Sequence, residues 1–153
     1  MIEAGASVPD VGARDQDGRD VRLADFHGKA LVVYFYPRAD TPGCTAESQA
    51  FRDLHDAFTK AGAAVVGVSR DTVSDQRKFA EKYALNFPLL ADVESTICDA
   101  FGVLVEKNMY GRKSVGIQRS TFLAGPDGTV AKVWPKVNVE GHANAVLEAV
   151  QSL

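Results

Sequence analysis

ALVVYFYPRADTPGCTAESQAFRDL, residues Ala30–Leu54, is the stretch whose reading decides the fold. Its opening run, Ala30 to Tyr36, is unbroken apolar and aromatic and rich in strand formers. Such a run reads as a strand buried on both faces. Pro37 stops it, and Thr41-Pro42-Gly43 then carries helix-start chemistry: a capping hydroxyl, a proline suited to the first helical position, and a tight glycine before Cys44. From Pro42 to Ala61 the apolar residues Phe51, Leu54 and Phe58 recur at helical spacing, and Gly62 supplies a stop. A strand, a tight connection and a helix are expected, with a thiol at the junction.

Working outward, AAVVGVS (Ala63–Ser69) reads as a second buried strand. Phe79, Tyr83 and Ala84 predict a helix over Ser74–Leu85, and FPLLAD (Phe87–Asp92) a short strand after it. Ser95–Phe101 is expected as a short helix ended by Gly102. STFLAG, then Pro126-Asp127-Gly128, then TVAKVW spell a hairpin. Val146, Leu147 and Val150 share one face of a closing helix over Gly141–Leu153. Near the start, Asp15-Gln16-Asp17-Gly18 looks like a turn between two short extended pieces, an N-terminal β-hairpin extension. The sum is an α/β fold in one domain, residues 1–153, with a mixed central β-sheet flanked by helices on both faces and antiparallel strands ending the sheet.

Composition narrows the function. The 153 residues are 46% hydrophobic and 24% charged, which fits one core-bearing soluble domain. A net charge of −3 provides no basic field for nucleic acid or an anionic membrane, and neither partner is expected. The first residues, MIEAGASVPDVGARD, lack a basic start and an apolar stretch, so no signal peptide is expected. No apolar run approaches the ~20 residues that cross a bilayer. A cytoplasmic protein follows as the expectation. Its two cysteines form neither a CxxC pair nor a disulfide framework, and in a reducing compartment a cysteine that matters is more often reactive than stapling. His27, His55 and His142 share no ligand spacing and are read as surface or capping residues, with no metal site.

Cys44 falls where helical N–H groups have no partner and the helix dipole is positive, and both effects favour a thiolate. The backbone N–H groups of Gly43 and Cys44 could hold a substrate oxygen as charge develops on it. The Thr41 hydroxyl can donate to one partner and accept from another. An inert core thiol is the alternative, and the polar helix start is a poor place for one.

Pro37, Thr41 and Cys44 compose P-x-x-x-T-x-x-C, which resembles the active-site motif of peroxiredoxins. The wider string FYPRADTPGCTAESQAFRDL, together with GVSRDTVSD, FPLLAD, EKNMYGRKSVGIQRSTFLAGPDG and GHANAVLEAV, is similar to the peroxiredoxin Q, or bacterioferritin comigratory protein, subfamily. The resemblance implies a thioredoxin-like fold. It also implies reduction of hydrogen peroxide and organic hydroperoxides without metal, flavin or other cofactor. Carried over by position, Cys44 is the peroxidatic cysteine, Thr41 positions peroxide and thiolate, Pro37 shields the pocket, and Arg119 faces the sulfur. An always-charged planar donor there would stabilise the thiolate and polarise the breaking O–O bond. Glu47, one turn beyond Cys44, either braces this network or is a solvated first-turn acid. The implied reductant is thioredoxin, glutaredoxin or a small thiol. A monomer is expected, with a dimer as the alternative.

One departure matters. The subfamily's resolving cysteine often stands five residues later on the same helix or about thirty-six later on the next, and those positions here are Gln49 and Ala80. Cys98 is the other thiol. It either fills an apolar face with Ile97 and Phe101 or resolves Cys44 after local unwinding, since bridged Cα atoms must come within about 7 Å. Without it the sulfenic acid must be reduced by an outside thiol, making a one-cysteine enzyme. Two other readings of such a chain are a thiol–disulfide oxidoreductase, which the missing CxxC disfavours, and a non-catalytic binding or chaperone module.

Overall fold

A computed structural model describes residues 1–153, Met109 by its backbone alone. The strands are β1 (Gly12–Arg14), β2 (Asp20–Arg22), β3 (Ala30–Phe35), β4 (Ala63–Ser69), β5 (Leu89–Ala91), β6 (Leu104–Met109), β7 (Arg112–Ile117), β8 (Ser120–Ala124) and β9 (Val130–Trp134). The helices are α1 (Pro42–Asp53), α2 (His55–Lys60), α3 (Val73–Lys82), α4 (Thr96–Phe101) and α5 (His142–Gln151). Seven strands form one sheet in the order β2-β1-β5-β4-β3-β8-β9. Its centre, β3, β4 and β5, is parallel, as buried strands joined by helical crossovers must be. Antiparallel strands close both edges, β8 and β9 on one side and the β1–β2 hairpin on the other. The expected mixed sheet and N-terminal hairpin are both present.

Strand alternation builds two cores. Val32, Tyr34, Tyr36 and Val65 face Phe51, Phe58, Phe79, Val146 and Val150 from α1, α2, α3 and α5. Leu31, Val33, Phe35 and Val66 face the other way, onto Leu23, Ile97, Phe101 and Ile117. Cys44 belongs to the first core and Cys98 to the second.

Two local features differ from the expectations, and a third segment carries none. The helix read over Pro42–Ala61 is interrupted at Leu54 (φ −97°, ψ 3°), which closes α1 and opens α2. Neither glycine nor proline marks the break, yet Phe51 and Phe58 on its two sides pack together, rings 5.8 Å apart. The helix read to Leu85 ends instead at Lys82, because Ala84 turns left-handed (φ 51°). The Leu85 N–H then bonds back to the Ala80 carbonyl at 2.9 Å, a closure usually given to glycine. The segment between α4 and β8 carries no periodicity strong enough for an expectation, and it forms the separate β6–β7 hairpin. Its turn residues Tyr110 (φ 53°) and Gly111 (φ 78°) are both left-handed, as a two-residue hairpin turn requires.

Candidate active site

The connection between β3 and α1 is tied down from α3 and the end of β4. Tyr36 donates its hydroxyl to Gln76 Oε1 at 2.6 Å, and Gln76 Nε2 donates to Ser69 Oγ and the Leu90 carbonyl, each at 2.9 Å. Ser69 Oγ donates to Asp71 Oδ2 at 2.6 Å, and the same oxygen takes the Ala39 N–H at 2.8 Å. The next residue, Asp40, is left-handed (φ 58°) and accepts from Tyr83 Oη at 2.6 Å and Lys82 Nζ at 2.9 Å. Five residues with little regular hydrogen bonding, Pro37 to Thr41, are thereby given one shape.

Thr41 has the extended conformation of an N-cap, but its hydroxyl does not cap the helix as its position leads one to expect. It donates instead to the Arg38 carbonyl at 2.8 Å, the demand of the tight turn winning over the helix end. Two consequences follow. The Thr41 oxygen, its proton committed, offers lone pairs to a further donor. The N–H groups of Gly43 and Cys44 have no helical acceptor four residues back, since the first such bond in α1 runs from Thr45 to the Thr41 carbonyl at 2.8 Å. Pro37 lies exposed and Thr41 half-buried, while Cys44 is wholly buried in the folded state.

Arg119 arrives from the other end of the chain. It sits between β7 and β8, and its carbonyl is held by the Val137 N–H at 3.0 Å. Its Nη2 donates to Cys44 Sγ at 3.3 Å and its Nη1 to Glu47 Oε1 at 2.7 Å. Gly43 makes room for this crossing, because a Cβ there would stand 3.0 Å from Arg119 Nη2. The pairing with Glu47 and Cys44 outweighs burial and raises the guanidinium further above its ordinary range.

Glu47 is not the solvated first-turn acid that was one of its two readings. It is 1% exposed, and its Oε2 has no hydrogen-bond partner among the described residues. Burial pushes its carboxyl up to about 7, against the charge and hydrogen bond of Arg119. Its position three residues after Cys44, on the same helical face, was the signal available in the sequence.

Gly141, not His142, is the N-cap of α5, and the buried His142 departs from its reading as a surface or capping residue. It opens α5 beneath the site, packs edge-on against Phe51 and Trp134, and meets Thr121 Oγ1 at 2.8 Å through Nε2. Burial, helped by the charge of Arg119, lowers it to about 4, so the ring is neutral. His55 lies half-buried against Phe87 and His27 is exposed, so the three share no site.

The two cysteines are not brought together. Cys98 is buried with Ile97 and Phe101 in the second core, and burial with the Asp92 carboxylate beside it pushes its thiol far above the usual range. Ala80 packs in the same core as Cys44, and Gln49 lies half-buried on α1. A thiol facing a guanidinium, two open N–H groups and a hydroxyl with lone pairs to offer can form an anionic nucleophile and hold a two-oxygen substrate against it.

A family model, that of the AhpC/TSA family, matches residues 4–133. The chain belongs to the AhpC/TSA family. Among its relatives in that family, peroxiredoxin Bcp of Xanthomonas campestris is 45% identical over 152 residues, 99% of this chain and 95% of the relative. The putative peroxiredoxin bcp of Coxiella burnetii is 44% identical over 146 residues, 95% of this chain and 97% of the relative. A structure of the Xanthomonas campestris bacterioferritin comigratory protein, from work on its alkyl peroxide reduction activity, superposes with a TM-score of 0.92 at 44% identity and 98% coverage of both chains. Peroxidoxin BcpB from Mycobacterium tuberculosis does so at 0.89 with 34% identity, covering 100% of this chain and 99% of that one. The AhpC/TSA match and these neighbours bear out the peroxiredoxin Q resemblance and the thioredoxin-like fold.

Proposed function

We propose that this AhpC/TSA-family chain is a thiol-dependent peroxidase that reduces hydrogen peroxide and organic hydroperoxides at Cys44. The observation that carries the reading is the 3.3 Å approach of Arg119 Nη2 to Cys44 Sγ, at a helix end whose first N–H groups are free. The thiolate attacks the terminal oxygen of the peroxide. The S–O bond forms as the O–O bond breaks, two electrons pass from sulfur to oxygen, and the alkoxide leaves to take a proton from water. Arg119 and the N–H groups of Gly43 and Cys44 hold the charge as it moves off sulfur. The Thr41 oxygen accepts from the peroxide hydroxyl and fixes its direction. Pro37, at the mouth, shields the pocket.

The product is a sulfenic acid at Cys44, which must be reduced from outside. An external thiolate attacks its sulfur, water leaves, and a second thiol releases the mixed disulfide. Thioredoxin, glutaredoxin or a small thiol fits this step, and the cytoplasm keeps such thiols reduced. The one-cysteine reading is supported by Gln49 and Ala80 at the family's resolving positions and by the burial of Cys98 in the opposite core. Stopped-flow oxidation by peroxide tests the assignment. Wild type reacts stoichiometrically, and Cys44→Ser, nearly isosteric but not ionised at neutral pH, folds and does not react. Appreciable turnover in that variant would sink it.

A further inference from the structure

We infer that Glu47 is a positioning residue whose charge state decides how much of the Arg119 guanidinium is available to Cys44. The inference rests on the thiol-peroxidase reading and deepens it.

One guanidinium serves two acceptors, Glu47 Oε1 at 2.7 Å and Cys44 Sγ at 3.3 Å. If both are anionic they compete for a single positive charge. Glu47 is also poorly built for permanent ionisation, with one oxygen on Arg119 and the other buried without a partner. A buried carboxylate left half satisfied is costly. A neutral carboxyl lowers that cost, because an unpaired buried O–H on Oε2 costs less than an unpaired buried charge, while Oε1 still accepts from Arg119. That balance accords with a carboxyl pushed up to about 7.

The groups that face this pair come from four parts of the chain. Arg119 is supplied by the segment after β7, Cys44 by α1, Tyr34 by β3, Tyr36 by the position just after β3, and His142 by α5. Tyr34 and Tyr36 are held neutral by burial, their hydroxyls tied to Ser48 Oγ at 2.8 Å and Gln76 Oε1 at 2.6 Å, and His142 is held neutral as well. The charge on the cluster near neutral pH is therefore set by Arg119, Glu47 and Cys44.

With Glu47 neutral, the whole cation faces the thiolate and the oxygen atoms that receive its charge. With Glu47 ionised, the cation is largely cancelled. Glu47 exchanges no proton with the peroxide and touches no reacting atom. Once the thiolate has become a neutral sulfenic acid, Arg119 has one anion fewer, and Glu47 ionises more easily. The coupling is reciprocal, as linkage demands.

Two measurements test this together. Single-turnover oxidation by hydrogen peroxide, followed against pH, gives a wild-type profile that falls above about pH 7, on the order of tenfold for loss of a neighbouring charge. Glu47→Gln keeps the hydrogen bond to Arg119 without the charge, and its profile does not fall. Carboxyl 13C NMR of Glu47 shows titration near 7 in wild type and a lower midpoint in Cys44→Ser, where no thiolate competes. Matching pH profiles in wild type and Glu47→Gln, or a Glu47 midpoint that ignores the loss of Cys44, overturns the inference and leaves Glu47 a brace. Should wild type not react with peroxide at all, the peroxidase reading falls, and the NMR midpoints still decide the coupling.

Discussion

Cys44 and Cys98 lie on opposite faces of one seven-stranded sheet, each buried in a different core. A bond between them would require one cysteine to leave its core and reach the other face of the sheet. We therefore expect oxidised protein to gain one oxygen atom at Cys44, and a second with excess peroxide, because no nearby thiol traps the first product. Intact mass and a peptide map check this. Protein lighter by two hydrogens, with Cys44 and Cys98 joined, would make Cys98 the resolving residue.

Removing the guanidinium tests the other half of the site. Arg119→Ala should slow oxidation by peroxide roughly 100- to 1,000-fold, the range for losing one aimed donor. Arg119→Lys should recover part of it, since a point charge cannot serve Glu47 and Cys44 at once as the planar fork does. Stopped-flow rate constants under single-turnover conditions decide the matter. An unchanged rate in the alanine variant would reduce Arg119 to a structural residue.

Gly43→Ala should separate stability from activity. Alanine suits a helix better than glycine by up to about 1 kcal/mol, and the backbone of Gly43 needs no left-handed angle. Its new methyl, however, would stand 3.0 Å from Arg119 Nη2 and press the guanidinium out of line. We expect a thermal midpoint no lower than wild type with oxidation several-fold slower, as geometry lost at a reacting centre gives. An undiminished rate would mean that the guanidinium shifts without consequence.

Two buried groups give stability opposite slopes with pH. His142 falls from 6.5 to about 4 on folding, so its contribution is complete above pH 6.5 and lost toward pH 4. Glu47 rises from 4.5 to about 7, so its contribution is complete below pH 4.5 and lost as pH climbs through 7. Denaturant titrations should show His142→Gln gaining relative to wild type as pH falls from 6.5 to 4, and Glu47→Gln gaining as pH rises from 4.5 to 7. Parallel pH curves for wild type and either variant would contradict that group's shift.

Much of this molecule is legible locally. The apolar run Ala30–Tyr36 and the Thr41-Pro42-Gly43 start place a thiol at a helix N-terminus, because strand length, proline and helix ends are short-range effects. The interruption at Leu54 is not legible, since it is a matter of how Phe51 and Phe58 enter one core. Nor is the left-handed Ala84, where alanine occupies a glycine's place. The site divides in the same way. Cys44 and Thr41 are read from neighbours in sequence, whereas the burial of Glu47 depends on Arg119, seventy-two residues away, and that of His142 on Thr121, twenty-one away. Those pairings exist only once the sheet has assembled.

The hold of Asp40 and Asp71 on the Pro37–Thr41 connection has a kinetic meaning. A peroxide is small enough to meet a sulfur that is sealed in the rest state, but a protein reductant is not. On the proposed reading, a protein reductant needs the Pro37–Thr41 connection to part where a peroxide does not. The contacts of Tyr83 and Lys82 with Asp40 would then help set how long the oxidised sulfur stays hidden from its rescuer and open to a second peroxide. Endurance under oxidant would depend on a surface clasp as well as on the thiol.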